Sequence, residues 1–155
     1  KAEDKEGMKL VVVGHRVWWQ DELAQAYDAM RHKEDVVFLG RAEAEELVRL
    51  MGSARMLVYP SLFEGFGIPI VEAFCSEVPV ITSDCTSMPE VAGDAAVLVN
   101  PKDAEAMAEA ITRVASDEAL RRDLVEKGRL RRTLFTWDIT AEKLWQSMMK
   151  TVGKE

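Results

Sequence analysis

Two carboxylates flank a glycine-containing loop in the middle of the chain. Residues 60–72 read PSLFEGFGIPIVE, with Glu64 before the glycines and Glu72 eight residues later. Gly65 and Gly67 have no β-carbon, so backbone N–H groups there can approach a ligand closely. An ionised carboxylate accepts hydrogen bonds from two hydroxyl groups at once. The pattern predicts a site where amides bind a pyrophosphate and each carboxylate binds a sugar ring on one side of it.

A helix is expected to begin directly after the glycines. Pro69 suits the first turn of a helix, where its missing N–H is not needed, and the predicted helix covers residues 69–76, with Glu72 in its first turn. The positive end of the helix dipole then faces the loop and binds phosphate without a lysine. The alternative is a solvated Glu64 and a Glu72 that interacts only with the helix dipole. The glycines, the proline and the preceding strand together favour the binding site.

Short apolar runs alternate with amphipathic stretches along the chain. Strands are predicted at residues 10–13, 36–40, 56–60, 78–82 and 95–99, and helices at 21–32, 43–51, 69–76, 103–115, 118–132 and 138–152. This alternation indicates an α/β fold, a doubly wound, Rossmann-like parallel sheet with helices on both faces. We expect a single domain over residues 1–155, whose ligands bind beyond the carboxyl ends of the strands.

Composition argues against several classes of function. The chain has 155 residues, is 48% hydrophobic and carries a formal net charge of −7, so no nucleic-acid partner is expected. Cys75 and Cys85 have no companions at zinc-binding spacing, so no metal is predicted.

No apolar run is long enough to span a bilayer, and the charged first residues do not resemble a signal peptide, so a cytoplasmic location is expected. A membrane surface is not indicated, because the basic run in residues 118–132 has acids one turn before its cations, as solvated helices do.

Three stretches of the sequence resemble one known family. YPSLFEGFGIPIVEA, VPVITS and MPEVAGDAAVLVNP are similar to the C-terminal domain of retaining GT-B glycosyltransferases, the glycosyl transferases group 1. The resemblance covers about residues 9–152. It implies a donor-binding domain of an enzyme that moves a hexose from a nucleoside-diphosphate sugar to an acceptor with retention of configuration. It also implies no cofactor, no metal and an acceptor domain on the N-terminal side.

The resemblance assigns a role to each candidate residue. Glu64 is implied to contact the hydroxyls of the transferred sugar at the catalytic centre, and Glu72 to hold the ribose. The other implied donor-binding residues are Ser61, which lines the pocket, Gly65, Phe66, Gly67 and Ile68, which offer backbone amides, Ala42, which lies near the base, and His15, which faces the cleft. For His15 a solvated loop position is the alternative.

The chain departs from the family pattern in two places. The family's donor domain begins with one more strand and helix, which carry an Arg and a Lys that clamp the diphosphate, and nothing upstream of Met8 matches them. We therefore expect a piece of an enzyme with an open sheet edge or gap and weak or no activity alone. Glu77 stands where the family usually has glycine, which implies a modified turn.

Two alternatives to the donor-binding domain of a glycosyltransferase stay open. One is a non-catalytic GT-B-like module with a regulatory or interaction role. The other is a different GT-B enzyme, such as a nucleotide-sugar epimerase. In the family the last helical segment crosses back to the acceptor domain, so the resemblance implies that Trp137 and Trp145, in the last predicted helix, would mark an interface with that domain if they are exposed.

Overall fold

The computed structural model describes residues 7–14 and 21–153. The chain divides into two compact units, Lys1–Arg49 and Leu50–Glu155. The described strands form a two-stranded and a three-stranded sheet, and every strand pair in them is parallel. The predicted α/β class with parallel strands and flanking helices is confirmed.

The first unit contains one strand pair and its helices. Its elements are β1 (Leu10–Val13), α1 (Asp21–Ala29), a short 3-10 helix (Lys33–Asp35), β2 (Val36–Gly40) and the start of α2 (Ala44–Ser53). Pairing of β1 with β2 continues past the strand end, where the Gly14 amide donates to the Gly40 carbonyl at 2.7 Å. Tyr27 of α1 packs edge-to-face on Phe38 of β2, with ring centroids 5.5 Å apart.

The second unit holds three strands and most of the helices. Its elements after α2 are β3 (Leu57–Tyr59), α3 (Ile68–Cys75), β4 (Val80–Ser83), α4 (Met88–Ala92), β5 (Ala96–Val99), α5 (Ala104–Ser116), α6 (Glu118–Arg131), a 3-10 helix (Arg132–Leu134) and α7 (Trp137–Thr151). The sheet order is β3-β4-β5, so β4 is central.

Helices cover both faces of this sheet. Val80 and Ile81 are neighbours on β4 and are fully buried, yet they belong to different core clusters, because successive side chains of a strand point to opposite faces. Val80 packs with residues of α3 and α4 such as Phe74. Ile81 packs with residues of α5 and α6 such as Val114. The second unit is therefore a three-layer α/β structure.

The predicted helices and strands are found, most of them with an end shifted by one to three residues. Asp103 caps α5 as predicted, since its carboxylate accepts from the Ala106 amide at 2.9 Å. The fourth strand begins at Val80 rather than at residue 78. Helix α4 was not predicted, because five residues are too few for an apolar period to be recognised.

The basic run in α6 and the turn after it is a set of structural contacts. The predicted pairs one turn apart are confirmed between Arg122 and Glu118 at 3.3 Å and between Lys127 and Asp123 at 2.7 Å. Three of the remaining guanidinium groups donate to backbone carbonyls at the carboxyl ends of other helices: Arg121 to those of Val114 and Ala115, Arg131 to those of Glu90 and Val91, and Arg132 to that of Cys75. Arg129 binds the side-chain carboxylate of Glu77, in the turn after α3. Cations at helix carboxyl ends also complement the helix dipole.

Helix α7 has no buried residue. Trp137 and Trp145, expected to mark an interface if exposed, are 89% and 59% exposed. Within the described ranges, no helix is both long and apolar enough to cross a bilayer.

Candidate functional site

The candidate site is the loop between β3 and α3. Tyr59 is the last residue of β3 and pairs with Thr82 of the central strand. The Thr82 hydroxyl, fully buried, donates to the Tyr59 carbonyl at 2.8 Å. The loop therefore leaves the sheet from a fixed point at the carboxyl end of a strand, where sequence analysis placed the ligand.

The last residue of β4 and the segment after it hold the loop backbone in place. The Ser83 hydroxyl donates to the Ser61 carbonyl, and the Ser87 hydroxyl donates to the Glu64 carbonyl at 2.9 Å. Thr86, between them, has a φ of 54°, a left-handed conformation that a β-branched residue rarely adopts. These two hydroxyl contacts were not predicted, because contacts between residues more than twenty positions apart leave no local pattern in the sequence.

Glu64 is fixed through one of its two carboxylate oxygens. Its Oε1 accepts a hydrogen bond from the Tyr59 hydroxyl at 2.6 Å and another from the Ser61 hydroxyl at 3.0 Å. None of the residues that the structure describes bonds to Oε2. A carboxylate has about four acceptor positions, so Oε2 retains its capacity to accept hydroxyl donors.

These hydrogen bonds change the pKa values of both partners. The Tyr59 and Ser61 hydroxyls lower the pKa of Glu64, because they stabilise its ionised form. Burial, followed by the hydrogen bond to the Glu64 carboxylate, raises the pKa of Tyr59 to about 12. Near neutral pH, Glu64 is therefore an anion that only accepts hydrogen bonds, and Tyr59 is a neutral donor.

The two glycines of the loop have different environments. Gly67 is buried with a φ of 106°, and a β-carbon there would lie 3.0 Å from Cε of Met88. Gly65 is exposed, and a β-carbon added to it would meet nothing within 4 Å. Packing and backbone conformation thus explain Gly67, whereas Gly65 leaves open space beside Glu64.

Backbone amides of the loop are available as donors. Within the described part of the chain, the N–H groups of Gly65, Phe66 and Gly67 make no hydrogen bond to a backbone or side-chain acceptor. The Phe66 ring packs edge-to-face on Phe135 at 5.5 Å, which fixes the residue between the two glycines. Ile68, the first residue of α3, is 62% exposed. The loop therefore presents open amides at the N-terminus of α3.

Glu72 lies further into the helix than predicted. Helix α3 begins at Ile68, one residue before the predicted start, so Glu72 is its fifth residue and its first turn contains no acid. The expectation of a first-turn carboxylate is wrong by one position of the helix. Glu72 is exposed on α3. It lies about one helical turn, 5.4 Å along the axis, beyond the first residue of the helix.

The turn after α3 keeps the backbone conformation of a glycine. Glu77 has a φ of 58°, a left-handed conformation that glycine adopts readily. Its carboxylate binds Arg129 through two hydrogen bonds, at 2.9 and 2.6 Å. This pairing lowers the pKa of Glu77 and raises that of Arg129.

Two candidate residues lie in the first unit of the chain. Ala42 follows β2 and is half-buried. His15 lies outside the described residues. In the same unit the ligand atoms of His32, Glu34 and Asp35 lie within 4.8 Å of one another at the surface, a grouping that sequence analysis missed.

Comparison with known proteins identifies the family of the chain. Residues 1–131 match the family model described as Glycosyl transferases group 1. The O-antigen chain mannosyltransferase B of Escherichia coli is 36% identical over 129 residues, which are 83% of this chain and 34% of that protein. The chain spans about a third of the length of the first curated relatives it matches.

Solved structures show the same fold. Sucrose-phosphate synthase from Thermosynechococcus elongatus matches with a TM-score of 0.79 and 29% identity, over 99% of this chain and 41% of that one. HepE from Anabaena, solved in complex with UDP and glucose, matches with a TM-score of 0.78 over 92% of this chain and 40% of that one. At 19% identity the latter supports the fold alone. The chain thus belongs to the glycosyl transferases group 1 family and corresponds to the C-terminal domain of a GT-B glycosyltransferase.

Proposed function

We propose that this chain binds the nucleoside-diphosphate-sugar donor of a retaining hexosyltransferase. Open amides of Gly65, Phe66, Gly67 and Ile68 bind the diphosphate. Glu64 accepts hydrogen bonds from the sugar hydroxyls, and Glu72 accepts them from the ribose. For Ala42 and His15, in the first unit, the roles implied by the resemblance stay predictions.

The availability of Glu64 Oε2 beside open amides carries this proposal. A loop that served only to connect β3 to α3 would have no need of an ionised carboxylate with one oxygen held by two donors. It would also have no need of the open space at Gly65. Both features suit a polyhydroxylated ligand with an anionic group. They disfavour a non-catalytic module that retains only the fold.

The amides also give the site a means of promoting transfer. As the bond between the sugar and the diphosphate breaks, negative charge develops on the leaving phosphate. Fixed N–H groups and the N-terminus of α3 stabilise that charge without reorganisation. The loop is well suited to this role, because its backbone is bonded to the end of β4 through Ser83 and to the segment after β4 through Ser87.

We infer that the transferred sugar is mannose. The Escherichia coli relative is a mannosyltransferase, which supports this choice of sugar. The acceptor domain, the transfer reaction of the whole protein and a cytoplasmic location are parts of the same proposal. The two free cysteines are consistent with a reducing compartment.

Calorimetry with matched ligands tests the proposal. GDP, GDP-mannose, UDP, UDP-glucose and UDP-galactose are titrated into the parent chain, into Glu64→Ala and into Glu72→Ala. Glu72→Ala should weaken a nucleotide and its sugar conjugate alike, because both contain the ribose. Glu64→Ala should weaken only the conjugate. Glu105→Ala, which removes an exposed carboxylate near the start of α5, is the matched control and should bind like the parent.

Two results would contradict the assignment. If Glu64→Ala and Glu72→Ala bound every ligand like the parent, the roles of both carboxylates would be wrong. If Glu64→Ala weakened GDP as much as GDP-mannose, Glu64 would act on the nucleotide rather than on the sugar.

A further inference from the structure

Tyr59 contacts the candidate sugar-binding carboxylate although it lies outside the glycine loop. Its hydroxyl donates to Glu64 Oε1 at 2.6 Å, the shorter of the two hydrogen bonds to that atom. Tyr59 stands at the start of the stretch YPSLFEGFGIPIVEA that resembles the family, but the resemblance assigns it no role.

We propose that Tyr59 is a positioning residue for the sugar, acting through Glu64, with Ser61 as the second donor. Together they occupy Oε1, so that Oε2 alone is presented to the hydroxyls of the bound sugar. This inference rests on the proposed function of Glu64. Tyr59 itself need not touch the ligand.

The sheet makes Tyr59 a rigid support. It ends a strand whose ladder continues into β4, and its carbonyl accepts from the fully buried Thr82 hydroxyl at 2.8 Å. The ring carries a single hydroxyl on a stiff frame, so the position of that donor follows the position of β3. Glu64 has three side-chain torsions and would sample several rotamers without such an anchor. The hydrogen bond therefore reduces the conformational freedom that a sugar would otherwise have to restrict.

The same contacts restrict the chemistry of Glu64. The Tyr59 and Ser61 hydroxyls lower the pKa of its carboxyl, and no charged side chain of the described residues contributes. Tyr59 on β3 is the titratable group in direct contact with it. From the segment after β4, the Cys85 thiol lies 3.6 Å from the Leu62 carbonyl of the loop. Glu64 thus accepts hydrogen bonds from sugar hydroxyls and has no proton to give to a leaving group near neutral pH.

Removing the single hydroxyl of each tyrosine provides the test. The chain has two tyrosines, and Tyr27, in the first unit, supplies the matched control. Tyr59→Phe, Tyr27→Phe and Ser61→Ala are titrated with GDP and GDP-mannose over a range of pH. The carboxyl resonances of ¹³C-labelled glutamate are followed in parallel, and Glu64→Gln assigns the signal of Glu64.

We expect Tyr59→Phe to reduce the affinity for GDP-mannose about tenfold and to leave the affinity for GDP unchanged. The Glu64 signal should titrate at higher pH than in the parent, because a donor to the ionised form is lost. Sugar-dependent binding should then decline at a higher pH as the solution is acidified. Ser61→Ala should produce a smaller change in the same direction, and Tyr27→Phe none.

The experiment distinguishes failure of the positioning role of Tyr59 from failure of the proposed function. If the parent distinguishes GDP-mannose from GDP through Glu64, but Tyr59→Phe binds both like the parent, the positioning role is wrong and the proposed function stands. If the pKa of Glu64 changes as expected but the parent binds GDP-mannose no better than GDP, the proposed function fails and the positioning role fails with it. A loss of GDP affinity in a folded Tyr59→Phe variant would show general disruption of the loop and would also overturn the inference.

Discussion

The loop after β3 and helix α6 use hydrogen-bonding groups in opposite ways. Every basic side chain from Arg121 to Arg132 contacts a carbonyl or a carboxylate. The loop, in contrast, retains Glu64 Oε2 and the amides around Gly65 without partners among the described residues. Satisfied polar groups stabilise a fold, whereas open groups in a rigid backbone are available to a ligand. The difference predicts which variants lose stability and which lose binding.

The largest effect is expected on the structural side, from Arg121→Ala. The Arg121 guanidinium donates to the carbonyls of Val114 and Ala115 at 2.8 and 2.9 Å and is half-buried. Loss of two charge-assisted hydrogen bonds at the end of α5 should lower the free energy of unfolding by about 2 kcal/mol. Urea denaturation measures this change. The affinity of the folded variant for nucleotide should stay within about twofold of that of the parent. A tenfold loss of affinity would contradict a purely structural role for Arg121.

Alanine at the two loop glycines should separate binding from stability. Gly65→Ala places a methyl group in open space, so the free energy of unfolding should not fall. The affinity for GDP should drop about tenfold, or about 1.4 kcal/mol, because the methyl group obstructs the ligand. Gly67→Ala forces an unfavourable φ and crowds Met88, so its free energy of unfolding should fall by about 1–2 kcal/mol. Thermal melts and calorimetry on both variants give the two quantities. Equal destabilisation by the two substitutions would contradict the assignment of Gly65 to ligand approach.

The smallest effect is expected at Glu77, where backbone strain and an ion pair oppose each other. Glu77→Gly and Glu77→Ala both remove the carboxylate that binds Arg129. They differ in that glycine adopts a φ of 58° without strain and alanine does not. The glycine variant should therefore be more stable than the alanine variant by about 1 kcal/mol. Denaturation midpoints compare them, and equal stability would show that the turn relaxes in the alanine variant.

Most of the fold was predictable because it depends on local patterns. Asp103, a typical capping residue, predicts the start of α5, and the apolar runs of β1 and β2 are confirmed as strands. The short helix α4 was missed, because Pro89 and the glycine after the helix look like turn residues in a segment of five. The start of β4 was placed too early, because Val78 and Pro79 are buried like strand residues without forming part of the strand.

The sequence predicts which residues form the candidate site, but it does not predict their contacts. The spacing of Glu64 and the glycines could be read from the motif. The hydrogen bond from Tyr59 could not, because it depends on where β3 ends and how the loop turns back. The hydrogen bonds from the Ser83 and Ser87 hydroxyls could not be predicted either, because they form only where β4 lies next to β3. Long-range hydroxyl contacts have no signature in a single sequence.

A ¹H–¹⁵N correlation spectrum recorded during titration with GDP shows whether the loop amides bind the diphosphate. We expect the amide resonances of Gly65, Phe66, Gly67 and Ile68 to shift most, because those N–H groups are the proposed diphosphate donors. The amides of α6 should remain unchanged. Saturable shifts that cluster on α6 or α7 while the loop amides stay in place would contradict this assignment.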